Sequence, residues 1–141
     1  MTSSGTSGED ASAALAYPQR PESLADQSAV VDYVTRYERA YRRNDLRTEH
    51  GSALRTVGLA VEGTRTYDAP EGAAIVRVRY TFYYEVGGPT ETPVHADSPT
   101  TYASYYVDES VVLRAAASGL REDESALDPD PLAEGVPVEC F

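Results

Sequence analysis

The chain has 141 residues and a formal net charge of −11, because 23 Asp plus Glu residues face 12 basic residues, all of them arginine. Its length suits one domain. An acidic chain without a basic stripe excludes nucleic acid as a partner, because it would repel the phosphate backbone. The single cysteine, Cys140, excludes an internal disulfide framework and any cysteine-based zinc site. It is expected to be either inert or available for an intermolecular bond.

The absence of lysine beside this acidic excess predicts a protein adapted to high salt. At about 1 M ionic strength the Debye length falls to roughly 3 Å, so repulsion among the carboxylates is screened while their hydration keeps the protein soluble. Hyperthermophile surfaces tend instead to be rich in Lys together with Glu. A GC-rich genome is the alternative explanation, since it also produces little lysine and much Ala, Val and Arg.

Residues 1–22 are small, polar and proline-containing, without a helical or strand period, and they predict a flexible N-terminal tail. They lack the basic start and the apolar run of roughly 7–15 residues that define a secretory signal peptide. No stretch of the chain is apolar enough to cross a membrane. Such a start is also typical of the region after the lipidated cysteine of a surface lipoprotein, with Met1 in place of that cysteine. The alternative is an ordinary disordered N-terminus.

Residues 24–46 carry the strongest helix signal. Ser23 followed by Asp26 resembles a capping box, and Asp32 and Arg36 have a favourable i, i+4 spacing. The apolar stripe that predicts burial consists of Val30, Val34, Tyr37 and Tyr41, widened by Tyr33 and Ala40. The remaining, polar face is predicted to carry Arg36, Glu38, Arg39, Arg42 and Arg43.

The segments after the helix predict antiparallel strands. The clearest is 76–85, where Val76, Val78 and Tyr80 alternate with polar residues. Further strands are predicted at 57–67, 101–107 and 111–115, with a Gly/Pro-rich loop at 87–99 and a hairpin between the last two strands. The predicted fold class is α+β: one N-terminal amphipathic helix packed on a curved antiparallel sheet of about four strands, as in cystatin-like and small NTF2-like domains.

The α+β domain is therefore predicted at 23–119, between the tail at 1–22 and an acidic, proline-containing C-terminal extension at 120–141 that is mostly irregular. Its carboxylates lack the regular ligand spacing and the central glycine of an EF-hand. They therefore favour a solvated tail over a calcium loop. The residues concerned are Asp123, Glu124, Asp128 and Asp130.

The tyrosines carry the main ligand-binding hypothesis. Tyrosines on the helix would face tyrosines on the sheet, and a buried phenol needs a hydrogen-bond partner. A sheet rimmed by phenols and nearby arginines would suit a small apolar ligand with one polar end. The candidate residues are Tyr37, Tyr41, Tyr80, Tyr84, Tyr102 and Arg77. The alternative is that tyrosine replaces Phe and Trp as core filler in a salt-adapted protein.

His95 and Asp97 are the candidate metal ligands. Two positions apart on a strand, they would share a face and hold a divalent metal with a third ligand such as His50 or Glu91. The alternative role is hydrogen bonding within the loop. No motif indicates a catalytic residue or a cofactor.

Several motifs resemble one family of uncharacterised haloarchaeal secreted proteins and lipoproteins. The run VDYVTRYERAYRRN at 31–44 resembles the family helix motif YVxxYERAYRxN. The HAD segment at 95–97, the later tyrosines with YYVDE at 105–109, and VEC at 138–140 are similar to further family motifs. The resemblance covers residues 27–117 and the extreme C-terminus. The resemblance implies a location outside the cell membrane and an expectation for the fold, but it implies no activity. The chain lacks the lipobox that the lipoproteins of the family carry.

These observations predict a salt-adapted extracellular or cell-surface module without enzymatic activity. Its partner would be another protein, a cell-wall component or a second copy, with membrane contact only through an N-terminal lipid anchor. The alternative is an NTF2-like ligand-binding or isomerase-type protein, which needs a buried carboxylate beside the tyrosines, since burial raises the carboxylate's pKa. The pattern places no Asp or Glu on the predicted inward faces, which favours the first hypothesis.

Overall fold

The computed structural model describes residues 9–10, 15–120 and 122–141, and it shows one long helix on an antiparallel sheet. Helix α1 spans Gln27–His50, and the one-turn helix α2 spans Pro131–Glu134. The strands are β1 Glu9–Asp10, β2 Leu54–Tyr67, β3 Ala74–Val86, β4 Val94–Asp97, β5 Thr101–Val107, β6 Val111–Ser118 and β7 Val136–Cys140. The predicted tail falls partly on 1–8 and 11–14, which lie outside the described residues.

Helix α1 begins three residues later than the capping-box pattern predicts. Asp26, and not Ser23, is the N-cap, and its carboxylate accepts a hydrogen bond from the backbone N–H of Ala29 at 3.1 Å. Ser23 accepts instead from the N–H of Ala25, at 3.2 Å, in the approach to the helix. The helix ends at Gly51, whose φ of 58° is a conformation that glycine adopts without strain.

Strand β3 is the centre of the sheet. It pairs with β2 on one side, and on the other side with β5 along Ala74–Tyr80 and with β4 along Tyr83–Val86. The strand order is β1-β2-β3-β5-β6-β7, and every pair is antiparallel. The chain passes from β4 to β5 at Ser98, which exchanges two hydrogen bonds with the backbone of Phe82, at 2.8 and 2.9 Å. These bonds satisfy the edge of β3 where its two partners meet.

The register of the strands sorts side chains onto two faces, because directly opposite residues point to the same side. The inner face, towards α1, includes the opposed pairs Val76–Tyr105 and Val78–Ala103. The outer face includes the pairs Arg77–Ser104 and Arg79–Tyr102. Tyr102 therefore lies on the opposite face from α1, and the prediction that it faces the helix is wrong.

The main core lies between α1 and the inner face. The predicted helix stripe and the alternation of β3 are both confirmed. The fully buried members of this core are Val30, Tyr33, Val34, Tyr37, Leu59, Val76, Val78, Tyr80, Ala103, Tyr105, Val107 and Val112. Tyr41 is partly buried beside them.

The sheet is larger than the predicted one of about four strands. It has six strands of four or more residues, in addition to the two-residue β1. Strand β4 forms inside the predicted loop 87–99, and β7 forms inside the extension that was predicted to be mostly irregular. The proline in β7 is tolerated because β7 is an edge strand, where a missing N–H need not break a ladder.

Both terminal segments attach to the core in the part of the chain that the structure describes. The side chain of Asn44 exchanges two hydrogen bonds with the backbone of Leu15, each of 3.0 Å. The ring of Tyr17 lies 4.6 Å from that of Tyr37, centroid to centroid, and the Tyr37 hydroxyl donates to the Val138 carbonyl of β7 at 3.2 Å. None of the described helices is both long and apolar enough to span a bilayer.

Candidate functional site

A buried carboxylate, Glu38, lies at the centre of the helix–sheet interface and is only 1 % exposed. Its two oxygens accept hydrogen bonds from Nε and Nη2 of Arg114, both at 2.8 Å. The Tyr105 hydroxyl donates to one oxygen at 2.6 Å, and the Tyr80 hydroxyl donates to the other. Together these residues form the Glu38–Arg114 network, in which four donors converge on one carboxylate.

The network is assembled from four elements of the fold. Glu38 comes one turn after Val34 on α1, so it points to the same side as the buried stripe. Arg114 opposes Tyr105 in the register of β6 and β5, which places it on the inner face. The prediction that Glu38 belongs to the polar face of the helix, and that no acidic residue points inward, is wrong.

Burial and charge change the ionisation of the donors. Burial raises the pKa of both Tyr80 and Tyr105, and the nearby negative charge of Glu38 raises it further. The phenols therefore remain protonated and can donate hydrogen bonds. Burial alone would lower the pKa of Arg114, but the hydrogen bonds and charge of Glu38 outweigh it and raise the pKa. The electrostatics therefore favour a fixed guanidinium–carboxylate pair flanked by neutral phenols.

Further arginine and aromatic side chains contact the network. Arg42 donates to the Tyr80 oxygen at 3.2 Å and lies over the Phe82 ring at 4.6 Å. The Arg114 guanidinium is stacked 3.8 Å from the centroid of the Tyr41 ring. Four surface cavities of about 670, 490, 380 and 170 Å³ lie elsewhere, and none of them is lined by a member of the Glu38–Arg114 network.

The candidate ligand-binding residues divide between three places. Tyr37, Tyr41 and Tyr80 lie at the helix–sheet interface, as predicted. Tyr84 belongs to a smaller cluster at the far end of α1, where its ring lies 4.9 Å from that of His50. The remaining two, Tyr102 and Arg77, lie on the outer face, so the six residues do not line one pocket.

On the outer face, Arg77 and Tyr102 are covered by the acidic segment 122–130. Arg77 is 4 % exposed and donates to the carbonyls of Glu124 and Ala126, the latter at 2.7 Å. Its guanidinium carbon lies 4.9 Å from the centre of the Tyr102 ring. The Tyr102 hydroxyl donates to the Glu124 carboxylate, so these side chains bind a segment of their own chain.

The candidate metal ligands His95 and Asp97 lie on β4, which forms inside the predicted loop, so they share one face of a strand and contact each other. His95 Nε2 lies 2.8 Å from an Asp97 oxygen, while Nδ1 lies 3.5 Å from Glu85. The hydrogen bond to Asp97 raises the pKa of His95 above its usual value, and Glu85 adds to the effect. The two carboxylates sit at different ring nitrogens, so one ion at either nitrogen would not reach both of them.

Neither proposed third metal ligand joins this pair. The His50 ring lies tilted by 35° against the Tyr84 ring, and Glu91 accepts a hydrogen bond from the Gly88 N–H at 2.8 Å. Within the ranges described, no group of three or more His, Cys, Asp or Glu side chains is arranged to hold a metal ion. In the extension, Asp123 accepts bonds from Ser125, which lower its pKa, and other carboxylates serve as caps or ion pairs.

Sequence reasoning missed both halves of the buried ion pair, although each left a signal. Glu38 continues the i, i+4 series of Val30 and Val34, and Arg114 follows Val112 at the two-residue period of a strand. A charged residue in an apolar position on two different elements indicates a buried pair, because charged side chains are almost never buried alone. Tyr80 was predicted on the inner face without this partner, whereas the choice between Tyr105 and Tyr106 was left open and the structure places Tyr105 there.

No protein-family model matches the sequence, and neither a curated protein nor a solved structure shows detectable similarity to it.

Proposed function

We propose that this protein is a non-enzymatic module that binds a partner on its surface, and that it is adapted to high salt and located outside the cell membrane. One observation carries the proposal: the buried carboxylate of Glu38, which lies among the core phenols, has both oxygens occupied by four donors. A general acid or base must reach a substrate proton at about 2.6–3.2 Å. Glu38 offers no such approach.

The structural role of the network follows from the elements that it joins. Glu38 connects α1 with β3, β5 and β6 through Tyr80, Tyr105 and Arg114. A buried ion pair is weak evidence for added stability, because desolvation offsets most of the Coulomb energy. Its directional bonds instead specify one position of the helix on the sheet, whereas an apolar contact would permit several.

A cystatin-like assignment is part of the proposal. The support is a single long helix lying across a meander of long antiparallel strands, with the helix–sheet interface filled by side chains. An NTF2-like pocket would require an enclosed space at the same interface. The extracellular, cell-surface location is supported by the lysine-free acidic composition and by the motif resemblance at 31–44 and 95–97.

The second candidate function, an NTF2-like ligand-binding or isomerase-type protein, is favoured by one observation. Glu38 lies beside Tyr80 and Tyr105, which is the combination of carboxylate and phenols that such a site needs. For this function the interface would have to open and release Glu38 from Arg114. None of the four surface cavities described above is lined by these residues.

Exchange of the arginine Nε hydrogens, followed by NMR, tests the two candidates. In a closed network the Nε hydrogen of Arg114 is held between protein groups and exchanges slowly, whereas Arg36, with a side chain 69 % exposed, serves as the fast-exchanging control. Addition of 4-nitrophenol, a small apolar ligand with one polar end, should leave the Arg114 signal unshifted. Two results would instead favour the NTF2-like ligand-binding pocket. One is an equal exchange rate for the Nε hydrogens of Arg114 and Arg36, and the other is a shift of the Arg114 signal that saturates as 4-nitrophenol is added.

A further inference from the structure

The outer face of the sheet carries a concentration of positive charge that the composition does not lead one to expect. Three arginines and two tyrosines from β2, β3 and β5 share this face, in a chain with a net charge of −11. One carboxylate of the same region, Glu62, accepts a hydrogen bond from Arg79 at 3.2 Å. Arg77 lies between the two aromatic rings, with its guanidinium carbon 4.9 Å and 6.0 Å from their centres. The arginine–tyrosine face consists of Arg65, Tyr67, Arg77, Arg79 and Tyr102.

This face is occupied by the acidic strap, which we define as residues 122–130. Most of its contacts use the main chain of the strap: Arg77 donates to two of its carbonyls at short range, and the Tyr67 hydroxyl donates to the carbonyl of Ala126 at 3.0 Å. The side-chain contacts centre on Glu124, whose carboxylate accepts from Tyr102 and from Arg79, the latter at 3.2 Å.

These contacts describe how the face recognises a peptide. The carbonyls of Glu124 and Ala126 that Arg77 reaches belong to a turn, in which the N–H of Ala126 donates to the carbonyl of Asp123 at 3.2 Å. The arginine and phenol donors around Glu124 select a carboxylate at that position, and the charge of Arg65 acts on Asp123. An acidic peptide that forms the same turn, with a carboxylate at the Glu124 position, satisfies the same donors.

Several features indicate that the strap does not fill the face. Arg79 and Glu124 remain 37 % and 38 % exposed, so water and salt screen their ion pair. A cavity of about 170 Å³ lies beside the pair, lined in part by Arg65 and Arg79. The buried hydroxyl of Ser104, which opposes Arg77, has no hydrogen-bond partner among the described residues.

We propose that the arginine–tyrosine face is the partner-binding surface of this module, that its partner is an acidic segment of another protein that forms a turn like that of the strap, and that the acidic strap covers the face until the partner displaces it. This inference rests on the proposed binding function. The strap can leave the face without loss of the remainder of the extension, because α2 and β7 have their own contacts with β6.

Fluorescence anisotropy with a labelled peptide of the strap sequence, EDESALDPD, tests the inference on the full chain in about 0.5 M KCl, where screening by salt keeps the acidic chain compact. Glu124→Gln weakens the strap in cis and should increase the affinity for the added peptide about fivefold, the effect expected of a half-exposed ion pair. Arg79→Gln should weaken binding of the same peptide by a similar factor. A peptide with Gln and Asn at the acidic positions should not bind.

One control variant and one replacement variant separate the possible results. Arg36→Gln removes an exposed arginine on α1, far from this face, and should leave peptide affinity unchanged. If Arg79→Gln does not fold, Tyr102→Phe replaces it, since it removes the hydroxyl that donates to the Glu124 carboxylate. The inference is overturned if folded Glu124→Gln does not bind the peptide, or binds the neutral peptide equally well. If the Nε hydrogen of Arg114 still exchanges slowly in the same sample, the proposed non-enzymatic function is retained although this binding surface is not.

Discussion

Glu38 on α1 and Arg114 on β6 meet inside the core as a two-bond ion pair, with both nitrogen–oxygen distances at 2.8 Å. The pair joins residues that are 76 positions apart in the chain. Because neither charge is exposed to water, each depends on the other and on the two phenols for solvation. The consequences can be measured.

Breaking the pair from one side should destabilise the protein strongly. Glu38→Gln leaves the Arg114 charge buried without its counter-ion, and we expect the free energy of unfolding to fall by about 3–5 kcal/mol. Chemical denaturation in concentrated KCl measures the change. Glu49→Gln, on the exposed side of the same helix, should change it by less than about 0.5 kcal/mol.

Replacing the whole network should be far less harmful than removing one charge. Glu38→Leu with Arg114→Met leaves no buried charge, and Tyr80→Phe with Tyr105→Phe in the same chain removes the two hydroxyls that would otherwise lose their acceptor. We expect this fourfold variant to recover most of the stability lost in Glu38→Gln. Equal losses in Glu38→Gln and in the fourfold variant would mean that the burial of an unpaired charge does not dominate the energetics.

The helix stripe should contribute more stability than the exposed helix face. Tyr37 is 2 % exposed, and its ring contacts Tyr17, Tyr33 and Tyr105. Tyr37→Ala should therefore cost about 3 kcal/mol. Arg36→Ala removes only an exposed i, i+4 ion pair and should cost well under 1 kcal/mol, or roughly a few tenths. Similar denaturation midpoints for the two variants would contradict this assignment of faces.

Stability should depend on salt. The net charge of −11 acts against compactness when it is not screened, so the melting temperature should fall as KCl is diluted below about 0.5 M. Thermal melts at a series of KCl concentrations test this. A melting temperature that is constant or rises towards low salt would refute salt adaptation.

Alkaline pH should unfold the protein through its buried tyrosines. Burial, with a contribution from Glu139, raises the pKa of Tyr33 to about 12, and burial also raises the pKa of Tyr37, Tyr80 and Tyr105. Unfolded phenols ionise near pH 10. The stability from these raised values is therefore complete below about pH 10 and is lost as the pH rises towards the folded values.

Ultraviolet absorbance of phenolate, recorded together with circular dichroism, distinguishes this behaviour from ordinary titration. We expect the buried tyrosines to ionise together, in one step that coincides with the loss of secondary structure. Full ionisation of all tyrosines near pH 10 with the fold intact would show that these phenols are accessible to solvent.

Local pattern was sufficient to predict the main secondary structure and the fold class. The spacing of Val30, Val34 and Tyr37 predicted the buried side of α1, and the alternation around Val78 predicted the two faces of β3. These patterns succeed because a helix and a strand each repeat their burial at a fixed period. The small strands β4 and β7 were missed because four or five residues next to proline carry too little of that period.

The tertiary structure alone decided the candidate sites. No local period indicates that Glu38 and Arg114 will meet, since their contact depends on where α1 crosses the sheet and on the register of β6. Likewise, the assignment of Tyr102 to the outer face follows from its pairing with Arg79, a relationship between two strands. The sequence by itself determined the charge, the helix stripe and the strand alternation, because those are properties of neighbouring residues. Long-range pairing determined which charges are buried and which are covered by the acidic strap, because a buried charge is stable only when a distant part of the chain supplies its partner.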